Sequence, residues 1–486
     1  MSTITLKHKV LHSVGWTFSS QVFRELFQFA VTVIMARLLT PKDYGLVGMS
    51  ASVIGFIQIF NTMGFRSALI QKQEVTDDHF STAFWSTLGV SLGLYLIVLP
   101  ASPLVAVFFR EPLLKGVIAF SALGLIISSL NTIQFARLEK NMDFKSITMV
   151  ELGTALVSGT VSISLALGGY GVWSIVWGPL IGQFLLLPAP WIITGWRPAF
   201  RFSTPAFREL FGFGAHLTGA TVVNYFARNA DNLIIGRVLG ASALGYYALA
   251  YNLMLKPLGY ISSNVGRVLF PAFSSIRGEK EKTRNAYLQV VQFISLITFP
   301  MMAGLLFVAP ELIEVIYGTK WLPVVPILQV LCLLGAIQSI GTTVGIIYMS
   351  QGRADMQFKY ALIFVPIIVT SFIVGVNWGV IGVAVGYVIS SGSIWIWSHV
   401  VANRLIELAM PNIFKKLFPA FAASMGMYIV LFAVFVTYPG FPEMNHTLLL
   451  TLQVLTGAAA YLVVLSVLDK NIFKELLDLR NRGIHG

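Results

Sequence analysis

Charge is what this sequence has least of: Asp, Glu, Lys and Arg make up 11% of its 486 residues, where a soluble domain carries about 25%. With a hydrophobic content of 56% and a mean hydropathy of +0.77, that scarcity excludes a soluble fold. Long polar stretches are missing too, so no water-soluble domain fits among the apolar runs of about 20 residues that recur from end to end. Cysteine is nearly absent. Cys332 stands alone inside an apolar run, which excludes an intrachain disulfide and a cysteine-built metal site. None of the seven histidines has the spacing of a metal-ligand set, so no metal is expected. Residues 1–14 lack a short apolar run with a small-residue cleavage site, so the first helix is expected to remain in the mature protein.

What is present is a series of apolar stretches at 12–35, 44–63, 80–108, 113–135, 147–168, 171–194, 209–236, 242–265, 286–309, 323–349, 360–376, 379–402, 414–437 and 446–468. They predict an all-α polytopic membrane protein of about fourteen transmembrane helices. With both termini in the cytoplasm, the 33 Lys and Arg divide into 24 on the cytoplasmic side, 6 outside and 3 within spans. Such a bias is the positive-inside signature. The net charge of +12 therefore reflects topology, and no nucleic-acid partner is expected, because the cations sit in short loops rather than on one face. Trp173, Trp196, Trp321 and Trp378 fall at span ends, where interface anchors are expected.

The chain also repeats itself. Ala36-Arg37-Leu38-Leu39 through Tyr44-Gly45 matches Gly236-Arg237-Val238-Leu239 through Leu244-Gly245 at an offset of 200. Asn141-Met142-Asp143-Phe144-Lys145 matches Asp355-Met356-Gln357-Phe358-Lys359 at 214, and Tyr170-Gly171-Val172 with Gly178 matches Trp378-Gly379-Val380 with Gly386 at 208. Three landmarks in one order indicate a duplicated unit of six spans. An even number gives both copies the same orientation, as in parallel-repeat transporters. The expected organisation is an N-lobe over 1–205, a C-lobe over 206–412, and two further helices with a cytoplasmic tail over 413–486.

Four segments stand out as motifs: Ala36 to Gly45 (ARLLTPKDYG), Gly64 to Gln71 (GFRSALIQ), Asn229 to Gly236 (NADNLIIG) and Leu269 to Ser274 (LFPAFS). Through them the sequence resembles the polysaccharide transporters of the multidrug/oligosaccharidyl-lipid/polysaccharide exporter superfamily. The resemblance implies two pseudo-symmetric six-helix bundles around a central cavity. It implies a flippase in a bacterial inner membrane that moves undecaprenyl-pyrophosphate-linked oligosaccharide outward for polymerisation. The partners it implies are that lipid-linked oligosaccharide, membrane lipids, and a polysaccharide polymerase with its chain-length machinery.

Charges deep in spans cost about 2.5–3.5 kcal/mol each at the bilayer centre, so each calls for compensation. They are Arg24, Glu25, Arg228, Asp231 and Lys256. Gln21 and Gln28 flank Arg24 on one helical face, and at the offset of 200 that stripe becomes Thr221, Asn224 and Arg228. Arg24, Gln21, Gln28, Asn224, Arg228 and Lys256 are the expected substrate-binding residues, the guanidiniums matching a pyrophosphate. Structural pairing, such as Arg228 with Asp231, is the alternative. Glu25 and Asp231 are candidates for proton or sodium coupling, because a carboxylate among helices takes up a cation to offset its desolvation. No catalytic residue and no cofactor are expected.

Two rival functions differ in chemistry. A drug exporter of the same superfamily would favour an acidic cavity, against three deep cations and two deep acids here. A membrane polymerase or ligase would need clustered acid and base groups outside, and the longest outer connection, 310–322, offers Glu311, Glu314 and Lys320 alone.

Overall fold

A computed structural model describes residues 3–62, 64–276, 278–437 and 444–468. It contains α-helices and two short 3₁₀ turns, and no strand among the described residues. That follows from the solvent: in hydrocarbon every backbone N–H and C=O must be satisfied within the chain, and a helix does so within one segment.

The chain divides into two compact units, Met1–Gly245 and Tyr246–Gly486. In the first lie α1 (Thr3–Leu38), α2 (Pro41–Thr62), α3 (Phe65–Gln71), α4 (Asp77–Phe109), α5 (Leu114–Ser121), α6 (Leu123–Lys140), α7 (Phe144–Leu167), α8 (Val172–Leu185), α9 (Pro188–Thr194) and α10 (Thr204–Leu239). Helix α11 (Ala241–Ser275) starts at the boundary. The second unit continues with α12 (Lys280–Tyr317), α13 (Val324–Ser350), α14 (Ala354–Gly375), α15 (Gly379–Leu405), α16 (Met410–Phe435) and α17 (His446–Leu468). The packing boundary falls at 245 rather than at the repeat boundary near 206, because α10 packs on α2, α3 and α4.

Ten helical stretches among the described residues are long and apolar enough to cross a bilayer. One of them, Leu362–Leu405, runs through the turn between α14 and α15. The protein is thus a multi-pass membrane protein. Helices α1, α10 and α11 are as long, at 36, 36 and 35 residues, yet are not among the ten. They are the helices that carry Arg24 and Glu25, Arg228 and Asp231, and Lys256.

The repeated landmarks have local causes. Thr40 and Asp43 form a reciprocal cap on α2: Thr40 N–H donates to Asp43 Oδ2 at 2.9 Å and Asp43 N–H to Thr40 Oγ1 at 3.3 Å. Pro41 takes the first helical position, where a missing N–H costs nothing. Four residues on, Gly45 lies against the first residue of α11, and a Cβ there would stand 1.7 Å from Ala241 O. Gly245 returns the contact, with a Cβ placed 2.0 Å from Pro41 O. Residue 45 faces 241 and residue 245 faces 41, so the offset of 200 exchanges the two sides, as a local two-fold relation requires. The landmark at offset 214 is less regular. Asp143 caps α7 through Ser146 N–H at 3.1 Å, whereas Asp355 already lies inside α14, where hydrogen bonding by Arg353 holds its carboxyl below the usual range.

Large side chains fill each unit. In the first, Phe65, Phe84, Ile133 and Leu210 are buried together with Trp196, and the Arg137 guanidinium lies 4.7 Å from the Phe80 ring and 5.2 Å from that of Trp196. In the second, Met427, Leu431, Leu449 and Leu465 join α16 to α17, and the Tyr461 hydroxyl donates to Leu296 O on α12 at 2.8 Å. The tryptophan expectation needs correcting. Trp196 is 8% exposed and Trp321 fully buried, so these two join helices inside the protein, while Trp378 is 71% exposed.

Candidate functional site

Helix α1 packs along α7, and that contact positions the first site residue. Arg24 Nη1 donates to Glu151 Oε2 on α7. One turn on, Gln28 joins Arg24 in lining a cavity of about 720 Å³ within the first unit. Gln58 of α2, Arg66 of α3, Asn131 of α6 and Gln183 of α8 add to its polar lining, with Glu151 and the hydroxyls of Thr32, Ser128, Thr132, Thr154, Ser158 and Ser162. Arg66 grips Glu139 with a two-pronged contact, Nε to Oε2 at 3.0 Å and Nη2 to Oε1 at 2.5 Å. Arg24 Nε, by contrast, is buried without a hydrogen-bond partner among the described residues, and so is Asn131 Oδ1.

An unpartnered buried donor or acceptor costs about 1–3 kcal/mol. A site that keeps one of each is prepared for a guest carrying both an anionic oxygen and a hydroxyl. Glu151 uses one edge of the guanidinium and fixes its rotamer, so the Nε edge is presented without further ordering.

The other expected residues lie elsewhere. Gln21 is exposed and Glu25 half-buried, and neither lines this cavity. Arg228 is exposed; Asp231 is 2% exposed and accepts from the Asn232 N–H at 2.8 Å. Lys256 is exposed on α11, and the Asn224 side chain lies outside the described residues. Among the described residues the cavity's lining comes from 24–186. Thr221 and Arg228 of the second polar stripe therefore do not line it.

Most of the lining escaped the sequence reading, which found only Arg24 and Gln28, and the sequence holds a faint signal for some of the rest. Glu151 is the one acid in 147–168 and Gln183 the one amide in 171–194, whereas Asn131 shares its run with Gln134 and Gln58 shares its run with Asn61. In a Cys332→Ser background, single cysteines at Gln28, Asn131 and Gln183 should react with a water-soluble thiol reagent. A cysteine at Leu96, 66% exposed on the apolar α4, should stay unreacted in the lipid. Equal labelling of all four would mean that this space is not an aqueous cavity.

The sequence pattern of the polysaccharide biosynthesis protein family matches residues 34–326, more than half of the chain. The chain belongs to that family. Its relatives include the teichuronic acid biosynthesis protein TuaB of Bacillus subtilis, 28% identical over 469 residues and covering 95% of this chain and 96% of that one. The lipopolysaccharide biosynthesis protein WzxC of Escherichia coli is 26% identical over 396 residues, 79% of each chain. The succinoglycan biosynthesis transport protein ExoT of Rhizobium meliloti is 23% identical over 472 residues, 97% of this chain and 95% of its own. Among solved structures, the lipid II flippase MurJ in an inward closed conformation superposes with a TM-score of 0.78 at 17% identity, covering 94% of this chain and 99% of that one. An inward-facing multidrug transporter gives 0.61 at 15% identity, over 79% and 96% of the two chains. These last two establish the fold this family member shares.

Proposed function

We propose that this protein is a flippase that moves undecaprenyl-pyrophosphate-linked oligosaccharide repeat units across a bacterial inner membrane for surface polysaccharide synthesis. The observation that carries the reading is Arg24, which lines a cavity of about 720 Å³ and whose Nε is bonded by no described residue. A pyrophosphate accepts from that edge while saccharide hydroxyls donate to Asn131, and the polyprenyl tail stays in lipid. The names of TuaB, WzxC and ExoT support the substrate class, and the MurJ likeness supports the fold on which such a movement is built.

In this proposal fourteen spans put both termini in the cytoplasm. Residues 1–205 and 206–412 form two six-helix bundles that rock by alternating access, and 413–486 are added to them. Arg228, Asn224 and Lys256 belong to the second copy's polar face. Asp231, the buried carboxylate of that face, is assigned to coupling by proton or sodium, and the cargo is handed to a polymerase and its chain-length machinery. An enzyme is disfavoured because the acids at the cavity among the described residues, Glu151 and Glu139, are each held by an arginine rather than by a second acid or base. A drug exporter is disfavoured because two guanidiniums and one carboxylate line it.

The test is deletion. Loss of the protein should leave lipid-linked oligosaccharide on the cytoplasmic face and stop surface polysaccharide. Unchanged surface polysaccharide, with no such accumulation, would overturn the proposal.

A further inference from the structure

A second polar cavity lies in the second unit, at the end of the bundle where α12 ends, α13 begins, α16 ends and α17 begins. Its volume is about 420 Å³. Pro310 opens one wall. Lacking an N–H, it cannot bond the carbonyl four residues back, and Gln329 Nε2 donates to that Leu306 oxygen instead, at 3.2 Å. The next residue, Glu311, lines the cavity with a buried Oε2 that has no partner among the described residues. Across from it, α17 contributes Gln453, 3% exposed, which lines the same cavity and whose Oε1 is likewise unpartnered. The remaining wall combines the rings of Phe307, Tyr428, Phe432 and Phe435 with aliphatic side chains and His446, whose Nδ1 lies 3.8 Å from Glu314 Oε2. Phe307 and Tyr428 meet edge to face at 5.5 Å, and both line the cavity.

Two buried acceptors without donors call for a guest rich in donors. A bare cation would draw its oxygens in to about 2.3–2.6 Å, and a space of 420 Å³ is far larger than that. It falls instead in the range of about 300–1,000 Å³ that holds small organic ligands. A phosphate is disfavoured, because Glu311 would repel it. Hydroxyl donors for Glu311 and Gln453, with C–H faces to lie on Phe307 and Tyr428, together describe a sugar ring.

We propose that this cavity is a saccharide subsite that takes an uncharged sugar of the cargo on the outer side of the membrane. The proposal rests on the flippase reading and its topology, which place the connections after α12 and α16 outside. It adds a second holding point for the cargo, in a different unit from Arg24.

The test uses full-length protein in nanodiscs, with Cys332→Ser and a reporter cysteine at Val436, which lines the cavity and is 57% exposed. The probes are free glucose, galactose, mannose, N-acetylglucosamine and glucuronate, with ethanolamine as a small cation. At least one neutral sugar should slow labelling of the reporter. Gln453→Leu should weaken that protection about tenfold. Glu311→Gln, which keeps an acceptor and removes the charge, should weaken it less and should let glucuronate protect better than before. No protection by any sugar, protection by ethanolamine instead, or protection undiminished in Gln453→Leu would each overturn the subsite. If sugars fail to protect a protein that still restores export to the deletion strain, the subsite falls and the flippase stands. Protection by a protein whose deletion leaves no lipid-linked oligosaccharide behind would keep the sugar site and remove the flippase.

Discussion

Arg24→Ala should reduce export of lipid-linked oligosaccharide about thirtyfold, the loss expected when a hydrogen bond to a charged group, worth about 2 kcal/mol, is removed from the cargo's pyrophosphate. Protein abundance should hold, because removing a charge from α1 lowers its cost of insertion. Arg24→Lys should recover export in part, since an ammonium supplies charge without a second edge. The partner on α7 separates binding from bracing. If Arg24 only clamps α1 to α7 through Glu151, then Arg24→Gln combined with Glu151→Gln should export almost normally, the pair having been removed whole. If the Nε edge holds the pyrophosphate, the double variant should stay as poor as Arg24→Ala. Export by whole cells, normalised to membrane protein level, decides between them.

Gly45→Ala and Gly245→Ala should each destabilise the protein by about 3 kcal/mol or more, since a backbone oxygen cannot retreat as a side chain can. A methyl group at either position would overlap the first residue of the facing helix, at 1.7 Å from Ala241 O or 2.0 Å from Pro41 O. By helix propensity alone the sign would be opposite, alanine being better than glycine by about 0.5–1 kcal/mol. Gly89→Ala on α4, where a Cβ meets nothing within 4 Å, should show that favourable effect. Thermal unfolding in detergent reads all three. Equal stability of Gly45→Ala and Gly89→Ala would refute the crossing.

Helices were legible because hydrocarbon permits little else: each apolar stretch in the sequence falls on one helix or, at 113–135 and 171–194, on two, and the glycine-rich corners at 168–171 and 375–379 separate α7 from α8 and α14 from α15. Interruptions within spans were not legible. Helices α5 and α6 meet at Ala122, beside Ser121 and Gly124, and α8 and α9 at Leu186–Leu187, just before Pro188; hydropathy carries no mark there, and isolated Gly and Pro recur inside other helices of this chain. The short α3, Phe65–Gln71, lies in a connection too brief for periodicity to register. For the site, Arg24 and Gln28 were visible as polar residues on one face of an apolar helix. Their companions were not, because Glu151, Asn131 and Gln183 come from three other helices and sequence gives no distance between helices. Helical phase put Gln21, Arg24 and Gln28 on one face, of which Arg24 and Gln28 line the cavity and Gln21 does not, and it said nothing about which cavity a second stripe enters.

The polarity of α10 and α11 bears on how the protein is made. Gly240 alone links these two helices, and between them they carry Arg228, Asp231 and Lys256. Over their described residues neither counts as a span by length and composition, and a one-residue link leaves little room to insert them separately. We expect them to enter the bilayer as one unit, sheltered by helices inserted before them. Biogenesis, not only transport, then limits which charges this pair can bear: an added charge on either helix should lower the yield of inserted chain even where it faces the cargo.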